Sequence, residues 1–288
     1  MRLKSAKKHI NKRIKEGLRF MAVIAKGKTK TVETTNDEDE VLITNRDDIT
    51  AQDGLKHDFL KGKARHATRT TCNIFKFLEG KGIPTHFIKQ RDETSFYARR
   101  ATMLPLEFVA RGRAKGSYLK RNPEVPEDAI FDRPVLEYHV KDDRKHDPLM
   151  LWDNKERKFK FYDAQRPVSK DSYMPDVRLE DYLPPGVSFG IQDSDQLFAL
   201  LRRVFIELER AWRIMGIILY DIKIEFGRNS KGQWIVADVI DNDSWRIRVM
   251  KDGKILDKDV YRKNLQSMEE IGENYALVAE LTETLKNL

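Results

Sequence analysis

Apolar and polar positions along the chain change period several times, and the changes mark out its elements. From Met21 to Asn45 an apolar start at Val23 and Ile24 gives way to a turn near Gly27, a β-prone run through Thr35, an acidic turn from Asn36 to Glu40, and Val41-Leu42-Ile43. Three strands joined by two turns are predicted. Residues 58–80 carry Ala64, Ala67, Thr71, Ile74, Phe75 and Leu78 at helical intervals and stop at Gly80, which predicts a helix. Strands are expected over 84–90 and 94–111. A second helix is expected over 193–215, where Leu197, Leu200, Leu201, Val204, Ile206 and Leu208 make a broad apolar face. A hairpin over 217–240 and a closing helix over 267–286 follow. The segment 150–190, with Leu183-Pro184-Pro185-Gly186 near its end, reads as a large loop or insertion. No internal repeat is visible. A strand-dense start followed by mixed elements predicts an α+β protein of two lobes with a ligand cleft between them. The expected division is a basic amphipathic extension over 1–20, a β-rich lobe over 21–108 and an α+β lobe over 109–288.

Charge sharpens this picture. The net charge is +8, but residues 1–19 hold eight basic residues and one acidic one, so the tail carries +7 and the rest of the chain +1. Basicity confined to a tail argues against nucleic acid as a partner of the folded body, because phosphate tracking needs cations clustered on a folded face. Ile10, Ile14 and Leu18 lie at helical spacing, which predicts an amphipathic helix docked on the body. No stretch is long and apolar enough to span a membrane, and the start lacks a secretory apolar region, so no membrane is implied and a cytoplasmic location is expected. Cys72 is the single cysteine and fits a reducing compartment without structural zinc.

Candidate chemistry gathers in three segments. Gly27-Lys28-Thr29-Lys30 resembles a phosphate loop, but the Walker pattern needs glycine where Ala22 stands. Its apolar flanks instead put Gly27 and Lys28 at a hairpin tip, with Lys28 and Lys30 pointing the same way, as in a flap over phosphates. A Lys-rich solvated turn is the plainer reading. In Leu219–Gly227 alternation puts Asp221, Lys223 and Glu225 on one strand face. Asp238 is the acid of the next, otherwise apolar strand, and pairing Glu225 opposite Val236 would bring the two carboxylates together. Oxygen-only ligands of this kind suit Mg²⁺ beside phosphates. A salt-bridged exposed sheet face is the alternative. Arg111-Gly112-Arg113-Ala114-Lys115-Gly116-Ser117, with Arg246 and Arg248, offers guanidinium forks and a hydroxyl for a phosphate or carboxylate. The histidines show no metal-ligand spacing, and no nucleophile–base signature is visible.

Taken together, GKTK at 27–30, DDITAQDG at 47–54, GIPTHF at 82–87, MLPLEFVARGRAKGSYLKR at 103–121, VKDDRKHDP at 140–148, LYDIKIEFG at 219–227 and ADVIDNDSWR at 237–246 resemble the SAICAR synthetase family in their order and spacing. The resemblance implies a two-lobed α+β fold similar to ATP-grasp enzymes, with ATP in the cleft. It implies an ATP- and Mg²⁺-dependent ligase of purine biosynthesis that joins carboxyaminoimidazole ribonucleotide to L-aspartate through an acyl phosphate. Carried over by position, Gly27, Lys28 and Lys30 match the phosphate flap, and Lys141 and Lys223 match further ATP-contacting lysines. Leu106 and Glu107 match the adenine-side backbone, and Glu225 and Asp238 match the magnesium-linked acids. Arg111, Ser117 and Arg246 match positions that hold the ribonucleotide, with Asp53 and Asp221 as further contributors. Lys223, Lys141 and Asp221 are expected to serve the chemical step.

The chain departs from the family at several points. Bacterial members carry an acid at the position of Val239, and the sequence Asp238–Asp243 instead resembles the synthetase portion of the animal bifunctional enzyme, whose carboxylase domain has no expected counterpart before Leu288. The residue before the flap, near Ala25, also differs. A homo-oligomer is compatible with the resemblance. A small-molecule kinase of the same fold and a non-catalytic nucleotide-binding homologue are the competing functions.

Overall fold

Strand alternation at the start of the chain produces the predicted meander. A computed structural model describes residues 22–51 and 54–288; the helix expected in the N-terminal extension and the candidate Asp53 lie outside the described residues. Strands β1 (Val23–Lys26), β2 (Lys30–Thr34) and β3 (Glu40–Asn45) pair antiparallel, and the first turn closes where the Gly27 amide donates to the Lys30 carbonyl at 2.9 Å. A short hairpin, β4 (Asp48–Ala51) and β5 (Lys56–Phe59), follows. It takes the first residues of the segment expected to be helical, so helix α1 begins only at Lys63 and runs to Gly80. The start is fixed by Gly62, whose φ of 84° suits only glycine well, and by the Asp47 carboxylate, which accepts from the amides of Gly62 at 3.0 Å and Ala64 at 2.8 Å.

Strands β6 (Phe87–Gln90) and β7 (Ser95–Arg99) complete a five-stranded antiparallel sheet in the order β1-β2-β3-β7-β6. The single run expected over 94–111 is broken into β7, β8 (Ala101–Met103) and β9 (Leu106–Arg113), with Pro105, which cannot donate to a ladder, between the last two. The expected lobe division after 108 falls inside β9. A short helix α2 (Ser117–Arg121) leads to β10 (Ile130–Val140). The segment predicted to be an irregular insertion opens instead as a hairpin, β11 (Leu149–Asp153) and β12 (Lys158–Tyr162), because Met150 and Phe161 alternate inward and pair across it. Only beyond Tyr162 is the chain irregular, with one 3₁₀ turn at Leu179–Asp181 before Gly190.

Helix α3 (Ile191–Ile214) buries Leu197, Leu201, Val204, Leu208 and Trp212 against the sheet. Ile206, expected on that face, lies two residues from Val204, about 200° around a helix, and is exposed. Each fully buried Leu contributes about 1.5–3 kcal/mol, so this stripe anchors the second sheet. That sheet runs β12-β11-β10-β9-β13-β14, with β13 (Ile217–Asn229), β14 (Trp234–Ala237), and both β8 and β15 (Trp245–Val249) pairing with β13. Trp212 meets Trp245 edge to face at 5.3 Å. Helix α4 (Asp259–Arg262) and helix α5 (Met268–Glu283), which starts in a Ser267–Glu270 capping box, close the fold. Among the described residues no helix is long and apolar enough to cross a membrane.

Candidate functional site

Strand register assembles the site in rows. On one face of the second sheet Arg111 of β9 lies opposite Asp221 of β13, and Asp221 lies opposite Arg246 of β15. One pleat along, Glu137 of β10 faces Val109 and Val109 faces Lys223; beyond that His139 faces Glu107. Because side chains two apart share a face, Glu107, Val109 and Arg111 point the same way as Asp221, Lys223 and Glu225. All six line one cavity of about 710 Å³, together with the Gly27–Lys30 turn and Asp238.

At the end nearest that turn, lysines and carboxylates interleave. Lys30 is ion-paired with Asp238. Lys141 Nζ lies 2.7 Å from Glu225 Oε1, Lys223 Nζ 2.5 Å from Glu107 Oε1, and Lys28 Nζ 2.7 Å from Asp143 Oδ2. Burial and the neighbouring Asp238 carboxylate push Glu225 above the usual carboxylate range. Burial also acts to raise Asp238, but Lys30 and then Lys141 override it and hold that carboxyl down. Lys223 and Lys141 would be discharged by burial; Glu107 and Glu225 respectively outweigh it and keep both ammonium groups firmly protonated. His86, buried behind Asp238, is driven down to about 4 by desolvation and stays neutral.

The acidic pair forms by a route that the sequence pattern did not predict. Glu225 is opposite Ala237, one residue from the expected Val236. Ala237 thus shares Glu225's face, and a strand continued for one more residue would turn Asp238 to the other face. Asp238 instead has φ 69°, a left-handed conformation, and its carboxylate returns to the cavity. The two acids, both in direct contact with lysines, form an oxygen-only pair that could hold a divalent cation.

At the other end Arg111, nearly fully buried, is held by Glu137 at 2.7 Å and Asp221 at 2.9 Å and donates to Ser117 Oγ at 3.3 Å. Glu137 also pairs with Arg121, and these cations hold its carboxyl far below the usual range despite burial. Arg246 bridges Asp221 at 2.8 Å and Asp259 at 3.1 Å. It crosses directly over Gly116, where an added Cβ would meet the guanidinium at 2.6 Å and φ is 63°, so only glycine fits. Arg248, a further candidate, is drawn away to Asp257 and Asp259 and does not reach the cavity wall. Leu106 is buried in the core beside the wall, with Glu107 next to it on the wall itself.

Several wall residues were not among the sequence candidates, His139, Asp143, Asp147, Asp243 and Lys258, and neither was Glu137, which holds Arg111 from behind. Glu137 and His139 alternate with buried Tyr138 and Val140, a period-two signal that was available but carried no motif. Asp147, in a left-handed turn residue at φ 51°, is pushed up to about 6 by burial and by the facing Glu107 carboxylate.

The SAICAR synthetase family model matches residues 23–277. A phosphoribosylaminoimidazole-succinocarboxamide synthase from Roseiflexus castenholzii is 37% identical over 271 residues, covering 92% of this chain and 97% of the relative. The bifunctional purine synthesis protein purC/E of Dictyostelium discoideum is 38% identical over 93% of this chain, which spans 27% of that longer protein. Among solved structures, the Ehrlichia chaffeensis phosphoribosylaminoimidazole-succinocarboxamide synthase superposes with TM-score 0.74 at 26% identity, over 91% of this chain and 98% of that one. A SAICAR synthetase in complex with ADP gives TM-score 0.73 at 28% identity, over 90% and 96% of the two chains. With a matching model over most of its length and relatives above a third identical across nearly all of it, this chain belongs to the SAICAR synthetase family.

Proposed function

We propose that the cavity condenses carboxyaminoimidazole ribonucleotide with L-aspartate, consuming ATP and forming the succinylcarboxamide through an acyl phosphate. Membership of the family makes the chain a ligase of purine biosynthesis; the substrates, the cation and the residue roles are our reading. The observation that carries it is the continuity of one cavity from the Lys28, Lys30 and Lys141 cluster to the Arg111–Asp221–Arg246 row. A triphosphate at the first end and a ribonucleotide at the second would place a carboxylate next to a γ-phosphoryl group.

A free carboxylate resists amines because it is negatively charged and its oxygen is a very poor leaving group. In the proposed sequence a ribonucleotide carboxylate oxygen attacks the γ-phosphorus and the bond to the β-phosphate oxygen breaks, releasing ADP. The aspartate amine then attacks the acyl carbon, loses a proton, and phosphate leaves. Lys28, Lys30, Lys141 and Lys223 offset the charge that spreads over the phosphoryl oxygens. Arg111, braced by Glu137 and Asp221, orients Ser117, and Arg246 faces the same ligand.

The acids suit magnesium. Among the described residues no group of three or more His, Cys, Asp or Glu is arranged as a metal cage. Two carboxylates with the rest of the shell left to phosphate oxygens and water is how Mg²⁺ is held at nucleotide sites. Bound there by Glu225 and Asp238, it would supply positive charge beside the β- and γ-phosphates. A cytoplasmic location belongs to the same proposal.

The test is a turnover assay with purified protein, ATP, Mg²⁺, the carboxylated ribonucleotide and aspartate. Succinylcarboxamide and ADP forming together, and only with aspartate, is the expected result. ADP formed without amide product would make the protein a small-molecule kinase, and nucleotide binding with no turnover a sensor.

A further inference from the structure

We propose that Arg46 is a positioning residue that turns the flap backbone so that the Lys28 and Thr29 amides face the cavity as a phosphate site. Three side-chain hydrogen bonds carry this. One terminal guanidinium nitrogen donates to the Gly27 carbonyl at 2.9 Å and to the Lys28 carbonyl at 2.8 Å, and the other donates to the Lys30 carbonyl at 3.2 Å. The Arg46 backbone amide adds a fourth contact, to the Thr29 carbonyl at 2.8 Å. Every carbonyl of the turn is therefore held by this one residue.

In a planar trans peptide the N–H points opposite to the C=O. With the Gly27 and Lys28 carbonyls drawn to one guanidinium nitrogen, the amides of Lys28 and Thr29 point away from Arg46. Lys28, Thr29 and Lys30 line the cavity, and Arg46 does not. Among the described residues neither amide has an acceptor. Two successive free N–H groups beside lysines make a concavity suited to phosphate oxygens. Arg46 is itself oriented from the next hairpin: its Nε donates to Asp48 Oδ2 at 2.8 Å, and Asp48 Oδ1 lies 2.7 Å from His57 Nε2 on β5. A planar fork fixed at Nε can serve three carbonyls at once, which the point charge of a lysine cannot do. Asp48 and His57 also stay off the cavity wall, so the whole brace acts through the flap backbone.

This inference rests on the flap being the phosphate end of the cavity, and the experiment separates the two ideas. ADP and adenosine binding are measured by calorimetry for the unaltered protein, Arg46→Lys and Arg46→Met. Arg46→Lys keeps the charge and loses the fork. It is expected to weaken ADP binding about 10-fold or more, the value of one hydrogen bond to a charged group. The loss should be nearly as large as in Arg46→Met, with adenosine affinity unchanged in both variants. Full ADP affinity in Arg46→Lys would mean that residue 46 supplies charge alone, and equal losses for ADP and adenosine that it merely supports the fold; either overturns the positioning role and leaves the flap assignment standing. ADP bound no more tightly than adenosine by the unaltered protein sinks both. Should neither variant fold, the Thr29 amide ¹⁵N resonance of the unaltered protein, assigned with Thr29→Ser, is followed as tripolyphosphate or adenosine is added. A shift that tripolyphosphate produces and adenosine does not supports the inference, and any other result overturns it.

Discussion

Lys28 and Asp143 join the two walls of the cavity: Nζ on the flap turn lies 2.7 Å from Oδ2 on the turn after β10, and both side chains are about half exposed. Lys30, two residues on at the start of β2, is likewise held by Asp238. The flap lysines that we assign to a triphosphate are therefore occupied by acids, and an incoming nucleotide has to exchange partners with them. An exposed pair of this kind contributes about 0–1 kcal/mol. Asp143→Asn is accordingly expected to leave the unfolding free energy within about 0.5 kcal/mol while lowering the KM for ATP by a factor of about 2–5, the equivalent of that small pair energy. The gain should shrink as salt is raised. A raised KM would show that Asp143 itself handles the nucleotide.

Glu225 and Asp238 differ from that pair in being less exposed, Glu225 buried and Asp238 half-buried, and in lying close enough for their charges to interact. Glu225→Gln and Asp238→Asn are expected to cut Mg²⁺-dependent turnover by about 10²-fold or more, on the scale of lost electrostatic stabilisation. Thermal unfolding should show both variants folded. Full turnover in either would remove the cation from the proposed site.

These two acids also show how far the sequence could be read. The three-strand start, α3 and the β13–β14 hairpin follow from period and turn chemistry, and the charged face of β13 follows from alternation alone. Both candidate acids were visible as charges in apolar strands. The conformation that pairs them was not: a one-residue register difference reverses the face of every side chain, and nothing in an Asp identity announces φ 69°. The late start of α1 was hidden for a similar reason, because β5 forms only by pairing with β4 and local helical spacing cannot register a cross-strand partner. Glu137 went unnoticed because its partners Arg111 and Arg121 come together only in the folded sheet.

Arg111 tests whether this end of the cavity is chiefly structural. Truncation to Ala strands Glu137 and Asp221, both buried, although Arg121 and Arg246 remain beside them. A loss of about 3–5 kcal/mol is expected for a broken buried pair, measured by urea unfolding. Ser117→Ala removes only a hydroxyl at the cavity wall. It should leave stability within about 0.5 kcal/mol, as for a surface change, and raise the ribonucleotide KM by about 10-fold, the value of one hydrogen bond to a charged group. Equal effects of the two variants on KM and stability would contradict the division.

Asp147 gives a pH signature with a definite sign. Its carboxyl titrates at 3.8 in the unfolded chain and is raised to about 6 in the fold, by burial first and then by the Glu107 carboxylate. Between those values the native state binds more protons than the unfolded chain, so the contribution of Asp147 to stability is present below about pH 4 and is lost as pH rises through 6. At pH 7 the ionised group then disfavours the fold by about 1–3 kcal/mol. Asp147→Asn keeps an oxygen able to accept from the Asp142 amide, a bond of 2.9 Å, and removes the charge. The variant should be more stable than the unaltered protein at pH 7 by that amount and indistinguishable from it at pH 4. Taking the difference between the two proteins at each pH cancels the opposing titration of His86, which is common to both. A stability difference that does not change between pH 4 and pH 7 would mean that Asp147 is not raised, and that the Glu107 carboxylate is screened from it by Lys223.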